Sequence, residues 1–135
     1  MRYETGKISK MHVVHLANGE DLLAGLEEFV AEAGIEYGSI LSAVGSIKSY
    51  HSHVVRSTGL PPGNDFTKGA GPFDVLTITG VIIGGRVHAH IEYSDRHVSH
   101  GGHLEPETIV LTFAIVTIAE LDGMDLTGMD RYEVP

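Results

Sequence analysis

The fold is decided by the stretch Val87-His88-Ala89-His90-Ile91-Glu92-Tyr93, in which apolar and polar residues alternate. Alternation with a period of two residues predicts a half-buried β-strand, whose apolar side chains face the interior and whose polar side chains face the other way. His88, His90 and Glu92 therefore share one face of the predicted strand. The two histidine rings are expected to lie close together, since same-face neighbours along a strand are about 7 Å apart.

The residues that follow predict a hairpin that brings a third histidine onto the same face. Ser94-Asp95-Arg96-His97 has the composition of a turn, and residues 98–104 are expected to return antiparallel to the first strand. With the turn centred on its two middle residues, His88 lies directly opposite His103. Opposed side chains in such a pair are about 4.5–5.5 Å apart at Cβ, and zinc binds imidazole nitrogen at about 2.1 Å. We therefore predict a metal site formed by His88, His90 and His103.

Two alternatives to this metal site follow from the same residues. In a chain with nine histidines some will cluster by chance, and a His-x-His strand can be simply a polar or pH-sensitive surface. A one-residue bulge at Gly101 or Gly102 would turn His103 to the opposite face. His97, in the turn, and His100, on the opposite face in this register, are predicted to face solvent.

Composition limits the class of protein to which this chain can belong. With 135 residues, 42% of them hydrophobic, the chain is predicted to form a single domain, residues 1–135, with a core of its own. Nine Lys and Arg against 18 Asp and Glu give a net charge of −9, and the basic residues are scattered, so nucleic-acid binding is not expected. The absence of cysteine excludes disulfides and thiolate metal sites, which leaves histidines and carboxylates as ligands.

Membrane and export signals are not found in the sequence. No apolar run reaches the ~18 residues needed to span a membrane, and the first residues lack the apolar region of a signal peptide. The expectation is a cytoplasmic protein without membrane contact.

The N-terminal part predicts a strand followed by a helix. Residues 11–16 are rich in β-branched side chains, and over residues 21–33 the apolar side chains fall on one helical stripe opposite three glutamates. Asn18 is a candidate N-cap, and Gly34 is placed to end the helix in a left-handed conformation. The helix is therefore expected to pack its apolar stripe onto a sheet.

The middle of the chain predicts two strands and a loop. Residues 39–47 and 50–56 have strand composition. His51 and His53 are interpreted as surface histidines, because no third histidine is near them in sequence. Residues 57–72 contain so many glycines and prolines that an irregular loop is predicted, and its length for a compact domain suggests that it is functional or mobile.

Further strands are predicted towards the C-terminus. Residues 73–83 form a long strand pattern that turns through Gly84-Gly85 into the histidine strand, which predicts a hairpin. Residues 108–118 are apolar at nearly every position, which is typical of a central strand covered on both faces. The helix covers one face, so a second subunit is expected on the other. The acidic tail, residues 122–135, is expected to add a short edge strand or to be mobile.

Several short motifs together resemble the plants-and-prokaryotes-conserved (PPC) domain. In order, they are Gly19-Glu20-Asp21 before the helix, Val44-Gly45-Ser46-Ile47, Gly71-Pro72-Phe73-Asp74-Val75-Leu76, the His-x-His pair and Gly101-Gly102-His103-Leu104. The resemblance covers nearly the whole chain. It implies an α+β fold in a single domain, with a mostly antiparallel sheet of about seven strands and one or two flanking helices.

The resemblance also implies an assembly and a cofactor. Members of this family assemble as homotrimers, and prokaryotic members hold a metal, zinc or another divalent transition metal, through histidines that match His88, His90 and His103. Plant members carry the domain beside AT-hook motifs that contact DNA. An AT-hook needs an Arg-Gly-Arg core, which this sequence does not contain. Direct binding to duplex DNA is therefore not expected.

Two functions are consistent with these features. The first is a trimeric metal-binding module, regulatory or protein-interacting, whose partner is a protein or a small ligand at the metal. The second is a small zinc-dependent, hydrolase-like enzyme, because three histidines on zinc leave a fourth position open for water. Glu92 and Asp95 are then the candidate general bases or ligand-orienting carboxylates. The sequence leaves open the substrate, the identity of the metal and the choice between the two functions.

Overall fold

The chain folds into one antiparallel sheet with a flanking helix. The computed structural model describes residues 1–132. In chain order the elements are β1 (Lys7–Ala17), α1 (Leu22–Ala33), β2 (Tyr37–Val55), β3 (Asn64–Ile83), β4 (Arg86–Ser94), β5 (Ser99–Leu104) and β6 (Ile109–Asp122). The predicted α+β class is confirmed, with six strands in the described part of the chain where about seven were expected.

The sheet closes on itself because β2 is long enough to pair with three other strands. The strand order is β1-β6-β2-β3-β4-β5, and β5 also pairs with β2. One edge of β2 pairs with β3. The other edge pairs first with β6 and then, at Ser52 and His53, with β5. The two strands are so close there that a Cβ on Gly102 would lie 2.5 Å from the carbonyl oxygen of His53. The closure therefore requires a glycine at this position.

The bounds of α1 follow from local capping interactions. Asp21 is the N-cap, because its Oδ1 accepts a hydrogen bond from the amide of Ala24 at 3.0 Å. The prediction of Asn18 as the N-cap is wrong, since that side chain donates instead to the carbonyl oxygen of Leu111. Gly34 ends the helix with a φ of 66°, as predicted. Within residues 1–132, no helix has the length and apolar character needed to cross a membrane.

The core lies between α1 and one face of the sheet. The helix buries Leu22, Leu26 and Val30. The sheet contributes a contiguous set of buried side chains that includes Leu16, Ile40, Ile78, Ile91 and Ile118. Burial of each such aliphatic side chain contributes about 1.5–3 kcal/mol to folding. This apolar set fixes which face of every strand points inward, because side chains alternate between the two faces.

The other face of the sheet, which we call the outer face, carries exposed apolar side chains. Met11, Val13, Val44 and Phe113 are exposed on it, and Val13 keeps 71% of its surface open to solvent. A row of directly opposed residues runs across this face from β1 to β4, namely Met11, Ala119, Ser39, Val81 and His88. Opposed residues project from the same face of a sheet. The exposed apolar side chains and the histidines of β4 therefore share one surface.

The irregular loop predicted for residues 57–72 is confirmed only for residues 57–63, because residues 64–72 belong to β3. β3 begins at Asn64, and residues 64–70 pair with residues 49–55 of β2. Gly71-Pro72 coincides with a shift in the register between the two strands, where an irregular backbone is tolerated. The two strands predicted before this segment also form one continuous strand, β2.

The hairpin between β3 and β4 is confirmed. Ile83 pairs with Arg86 across Gly84 and Gly85. These glycines have φ values of 60° and 74°, as a two-residue turn of the primed type requires. The turn therefore sets the register that orients the histidines of β4.

The residues after β6 fold back towards β4 rather than adding an edge strand. The guanidinium of Arg2 donates to the carbonyl oxygens of Asp125 and Thr127, both at 2.9 Å. The hydroxyl of Tyr37 donates to the carboxylate of Asp125 at 2.9 Å. Up to residue 132 the predicted tail consists of turns and irregular backbone fixed by such bonds, and residues 133–135 lie outside the described part.

Candidate metal centre

The β4–β5 hairpin places His103 opposite His90. Its loop covers residues 95–98, in which the carboxylate of Asp95 accepts two backbone hydrogen bonds, at 2.7 and 2.8 Å. This loop is longer than the predicted turn, so the predicted pairing of His103 with His88 is wrong by two residues. Because side chains alternate with a period of two, the shift leaves His103 on the predicted face.

The three histidines predicted as metal ligands lie together on the outer face. The ring centroids are 5.7 Å apart for His88 and His90, 4.9 Å for His88 and His103, and 5.9 Å for His90 and His103. Three imidazoles bound tetrahedrally to one zinc at about 2.1 Å would have their centroids roughly 5 Å apart. The observed separations are close to those of an assembled three-histidine site.

A fourth histidine, His53, joins this group from β2. It lies directly opposite His103, and the two rings are stacked with their centroids 4.5 Å apart. His53 is therefore not the isolated surface histidine that the sequence predicts. His51, by contrast, contacts the carbonyl oxygen of Pro106 through Nδ1 at 2.9 Å. The sequence signal for His53 was the His-x-His pattern at 51–53. This pattern indicates a residue of the cluster only when β2 is known to pair with a strand that is distant in sequence.

Glu105 lies between His53 and His103. Its Oε1 is 2.5 Å from Nδ1 of His53 and 3.1 Å from Nδ1 of His103. The candidate ligand atoms of these three residues lie within 4.8 Å of one another, and within residues 1–132 this is the one group of three or more that meets this distance. His53, His103 and Glu105 are therefore an alternative ligand set. Glu105 was not predicted as a site residue, although it stands two residues after His103.

Asp130 approaches His88 from the C-terminal segment. Its Oδ2 is 3.1 Å from Nδ1 of His88 and 2.6 Å from Nη2 of Arg86. Burial raises the pKa of Asp130, but the hydrogen bonds from His88 and Arg86 outweigh burial and leave the pKa lowered, so the carboxylate stays charged. The sequence contains no pattern that points to Asp130, because its position depends on how the tail folds back.

The two carboxylates determine which ring nitrogen is available on their histidines. Nδ1 of His88 faces Asp130, and Nδ1 of His103 faces Glu105. A neutral histidine that donates its Nδ1–H to a carboxylate carries its lone pair on Nε2. His88 and His103 are therefore held in the tautomer that offers Nε2 to a metal.

The electrostatic surroundings favour neutral rings. Partial burial lowers the pKa of His90, and the neighbouring charges of His88 and His53 lower it further. Burial is also the main cause of the lowered pKa of His103; the charge of His53 adds to it and Glu105 partly opposes it. Both rings are therefore neutral near pH 7, which is the form that coordinates a metal.

The other residues considered from the sequence lie outside this cluster. Glu92 is exposed and accepts a hydrogen bond from a serine hydroxyl at 3.2 Å. The carboxylate of Asp95 accepts backbone hydrogen bonds within its own loop. His97 is exposed in the same loop, as predicted. His100 is exposed and lies on the opposite face, as predicted. Its ring is stacked on that of Tyr50. Neither candidate general base contacts a histidine of the cluster in the described chain.

Two neighbouring clefts open onto the cluster. The first, of about 310 Å³, is lined by His88, His90 and Asp130 together with apolar side chains of β3 and the C-terminal segment. The second, of about 570 Å³, is lined by His53 and His103. It is also lined by His88, His90 and Asp130, which it shares with the first cleft. A small molecule could therefore approach the cluster from the outer face.

The fold and the histidine cluster together define the class, a small antiparallel α+β domain with a candidate metal centre on the outer face of its sheet. The chain belongs to the Plants and Prokaryotes Conserved (PCC) domain family, whose model matches residues 3–122. The resemblance seen in the sequence is therefore confirmed.

Known proteins similar to this chain include two solved structures. A metal-containing protein of Archaeoglobus fulgidus superposes with a TM-score of 0.80 at 23% identity, and the match covers 91% of this chain and 87% of that one. A plant- and prokaryote-conserved (PPC) protein of Pyrococcus horikoshii superposes with a TM-score of 0.79 at 20% identity, over 93% and 87% of the two chains. At these identities the likeness establishes the fold.

A curated relative is much longer than this chain. The bifunctional protein GlmU of Synechococcus sp. (strain JA-2-3B'a(2-13)) is 29% identical over 112 residues, which are 82% of this chain. The chain spans only 17% of the length of that relative. The matching region of GlmU is therefore a small part of a larger protein.

Proposed function

We propose that this protein is a metal-binding module in which His88, His90 and His103 hold zinc or another divalent transition metal. The observation that carries the proposal is the contact of Nδ1 of His88 with Asp130 and of Nδ1 of His103 with Glu105. Carboxylates in these positions fix the ring orientation and the tautomer of metal-binding histidines. The likeness to a metal-containing archaeal protein supports the proposal.

The donor set suits zinc. Neutral imidazoles are common zinc ligands, and the sequence contains no cysteine that would compete as a thiolate ligand. Three protein ligands would leave one coordination position for water or a small ligand, where zinc acts as a Lewis acid. Both a ligand-sensing module and the alternative hydrolase-like enzyme would use this open position.

Zinc titration tests the metal-binding function. The apoprotein, prepared with a chelator, is expected to bind about one zinc per chain, because the two candidate ligand sets share His103 and cannot both be filled. Mass spectrometry of metals in protein purified without a chelator gives an independent stoichiometry. An apoprotein that takes up no zinc at micromolar concentration would contradict the proposal.

We also propose that the chain assembles as a homotrimer. The family resemblance motivates this assembly, and the outer face supports it. Val13, Val44 and Phe113 are exposed there, on the side of the sheet that α1 does not cover. Apolar surface of this kind is typically covered by another subunit in a symmetric oligomer.

Light scattering at micromolar concentration is expected to give a mass of about three chains of 14.5 kDa. Val44→Glu is expected to lower this mass, because it places a charge in the apolar part of the outer face. Ala31→Glu introduces the same side chain at an exposed position of α1 and is expected to leave the mass unchanged. A monomeric unsubstituted protein would rule out the assembly.

A further inference from the structure

One oxygen of Asp130 has no partner although the side chain is buried. Oδ2 contacts both His88 and Arg86, but Oδ1 has no hydrogen-bond partner among residues 1–132. Only 7% of the side chain is exposed. A buried carboxylate oxygen without a hydrogen bond is costly, and each such group calls for an explanation. Asp130 lines both clefts, where a bound ligand would supply the missing donor after a small rotation of the carboxylate.

The segment that carries Asp130 is held in place by contacts that do not involve the histidine cluster. We call residues 124–132 the strap. Arg2 donates to two of its carbonyl oxygens, and Tyr37 donates to the carboxylate of Asp125. Hydrogen bonds from the side chain and amide of Thr127, and from Tyr37, lower the pKa of Asp125 to about 2. The carboxylate that fixes the strap is therefore charged at ordinary pH.

The strap forms one wall of the cleft of about 310 Å³. Leu126 and Met129 contribute apolar surface from the strap, and Ile83 contributes apolar surface from β3. The polar groups of the cleft include His90 and Asp130. A concave site with apolar walls and a few convergent polar groups is typical of a small-molecule pocket.

The state of Asp130 restricts the kind of ligand. Because Asp130 forms an ion pair with Arg86, its Oδ1 can only accept hydrogen bonds, and the group that meets Oδ1 must present an N–H or O–H. Arg86 lies 2.6 Å from Oδ2 and offsets much of the negative charge, so the donor need not be a cation. A ligand carboxylate at the same place would be repelled, because both groups would only accept. The matching chemistry is a neutral hydroxyl or amide.

We propose that the strap makes this cleft the ligand pocket of the metal centre. The ligand is a small molecule that binds the metal through oxygen, donates an N–H or O–H hydrogen bond to Oδ1 of Asp130 and places an apolar group against Leu126 and Met129. This proposal rests on the metal centre proposed above. Asp130 then contacts the ligand directly, in addition to orienting His88.

Two hydroxamates separate the hydrogen bond from metal ligation. Acetohydroxamate chelates zinc through two oxygens and keeps an N–H, whereas N-methylacetohydroxamate chelates in the same way without an N–H. Calorimetric titration of the full zinc-loaded chain is expected to show at least about tenfold tighter binding of acetohydroxamate, as a hydrogen bond to a charged acceptor would give. In Asp130→Asn the preference is expected to fall to within about twofold, because the charged acceptor is gone.

Asp122→Asn is the matched control. It makes the same chemical change at an exposed carboxylate that does not line the cleft, and it is expected to keep the full preference. A preference that persists in Asp130→Asn, or that is absent from the unsubstituted protein, would overturn the pocket. Failure of the unsubstituted protein to bind zinc would instead contradict the metal centre. The comparison of the two hydroxamates on the unsubstituted chain tests the pocket even where Asp130→Asn does not fold or loses zinc.

Discussion

Replacement of His103 by alanine is expected to lower the affinity for zinc by at least about 100-fold, since even loss of a residue that only orients a ligand costs about 10–100-fold. The ring of His103 lies 4.9 Å from that of His88 and 5.9 Å from that of His90, so its removal takes away one of three donors grouped at similar distances. His88→Ala and His90→Ala should cause losses of the same order, because two imidazoles hold zinc more weakly than three. Competition between the apoprotein and a chromophoric chelator measures these affinities.

Two other histidines of the same hairpin are the matched controls. His97 is exposed in the β4–β5 loop, and His100 lies on the opposite face of β5, stacked on Tyr50. His97→Ala and His100→Ala are expected to leave the zinc affinity unchanged. A His103→Ala variant that keeps full affinity would show that this histidine is not a ligand.

His53→Ala distinguishes the two ligand sets that the geometry allows. With His88, His90 and His103 as ligands, loss of His53 removes only a neighbour of Glu105, and a decrease of up to about tenfold is expected. The alternative set is His53, His103 and Glu105. A large loss in His53→Ala together with unchanged affinity in His90→Ala would assign the metal to that set.

The face that carries the histidines could be predicted because it depends only on local alternation. In β4 the side chains of Val87, Ala89 and Ile91 are buried and those of His88 and His90 lie on the other face, as a period of two requires. The loop after β4 is longer than predicted. The resulting error of two residues changes the partner of the third histidine but not its face, whereas an error of one residue would have removed it from the cluster.

The contributions of His53, Glu105 and Asp130 could not be predicted, because they depend on contacts between distant segments. His53 reaches the cluster only where β5 pairs with the second half of β2. Asp130 reaches it only because Arg2 and Tyr37 hold the strap. Such contacts leave no periodic pattern in the local sequence. The same cause explains the first part of β3, where pairing with a long neighbouring strand outweighs the loop composition of the segment.

Gly102→Ala is expected to loosen the closure of the sheet. The new Cβ would lie 2.5 Å from the carbonyl oxygen of His53 and 3.3 Å from the side chain of Val54. Because the nearer atom belongs to the backbone, β5 must move away from β2. Overpacking of this kind lowers the free energy of unfolding by about 1–3 kcal/mol. For a domain of this size each kcal/mol corresponds to roughly 4 °C, so the Tm of the apoprotein should fall by roughly 4–12 °C.

The zinc affinity of Gly102→Ala should fall as well, because a displaced β5 carries His103 away from its position opposite His90. Gly59→Ala is the matched control, since its new Cβ would meet only the Ser57 hydroxyl, at 3.5 Å, in an exposed loop. Its Tm and zinc affinity are expected to stay unchanged. An unaltered Tm in Gly102→Ala would contradict the tight contact between β5 and β2. A lowered Tm with full zinc affinity would show that the metal centre forms independently of this closure.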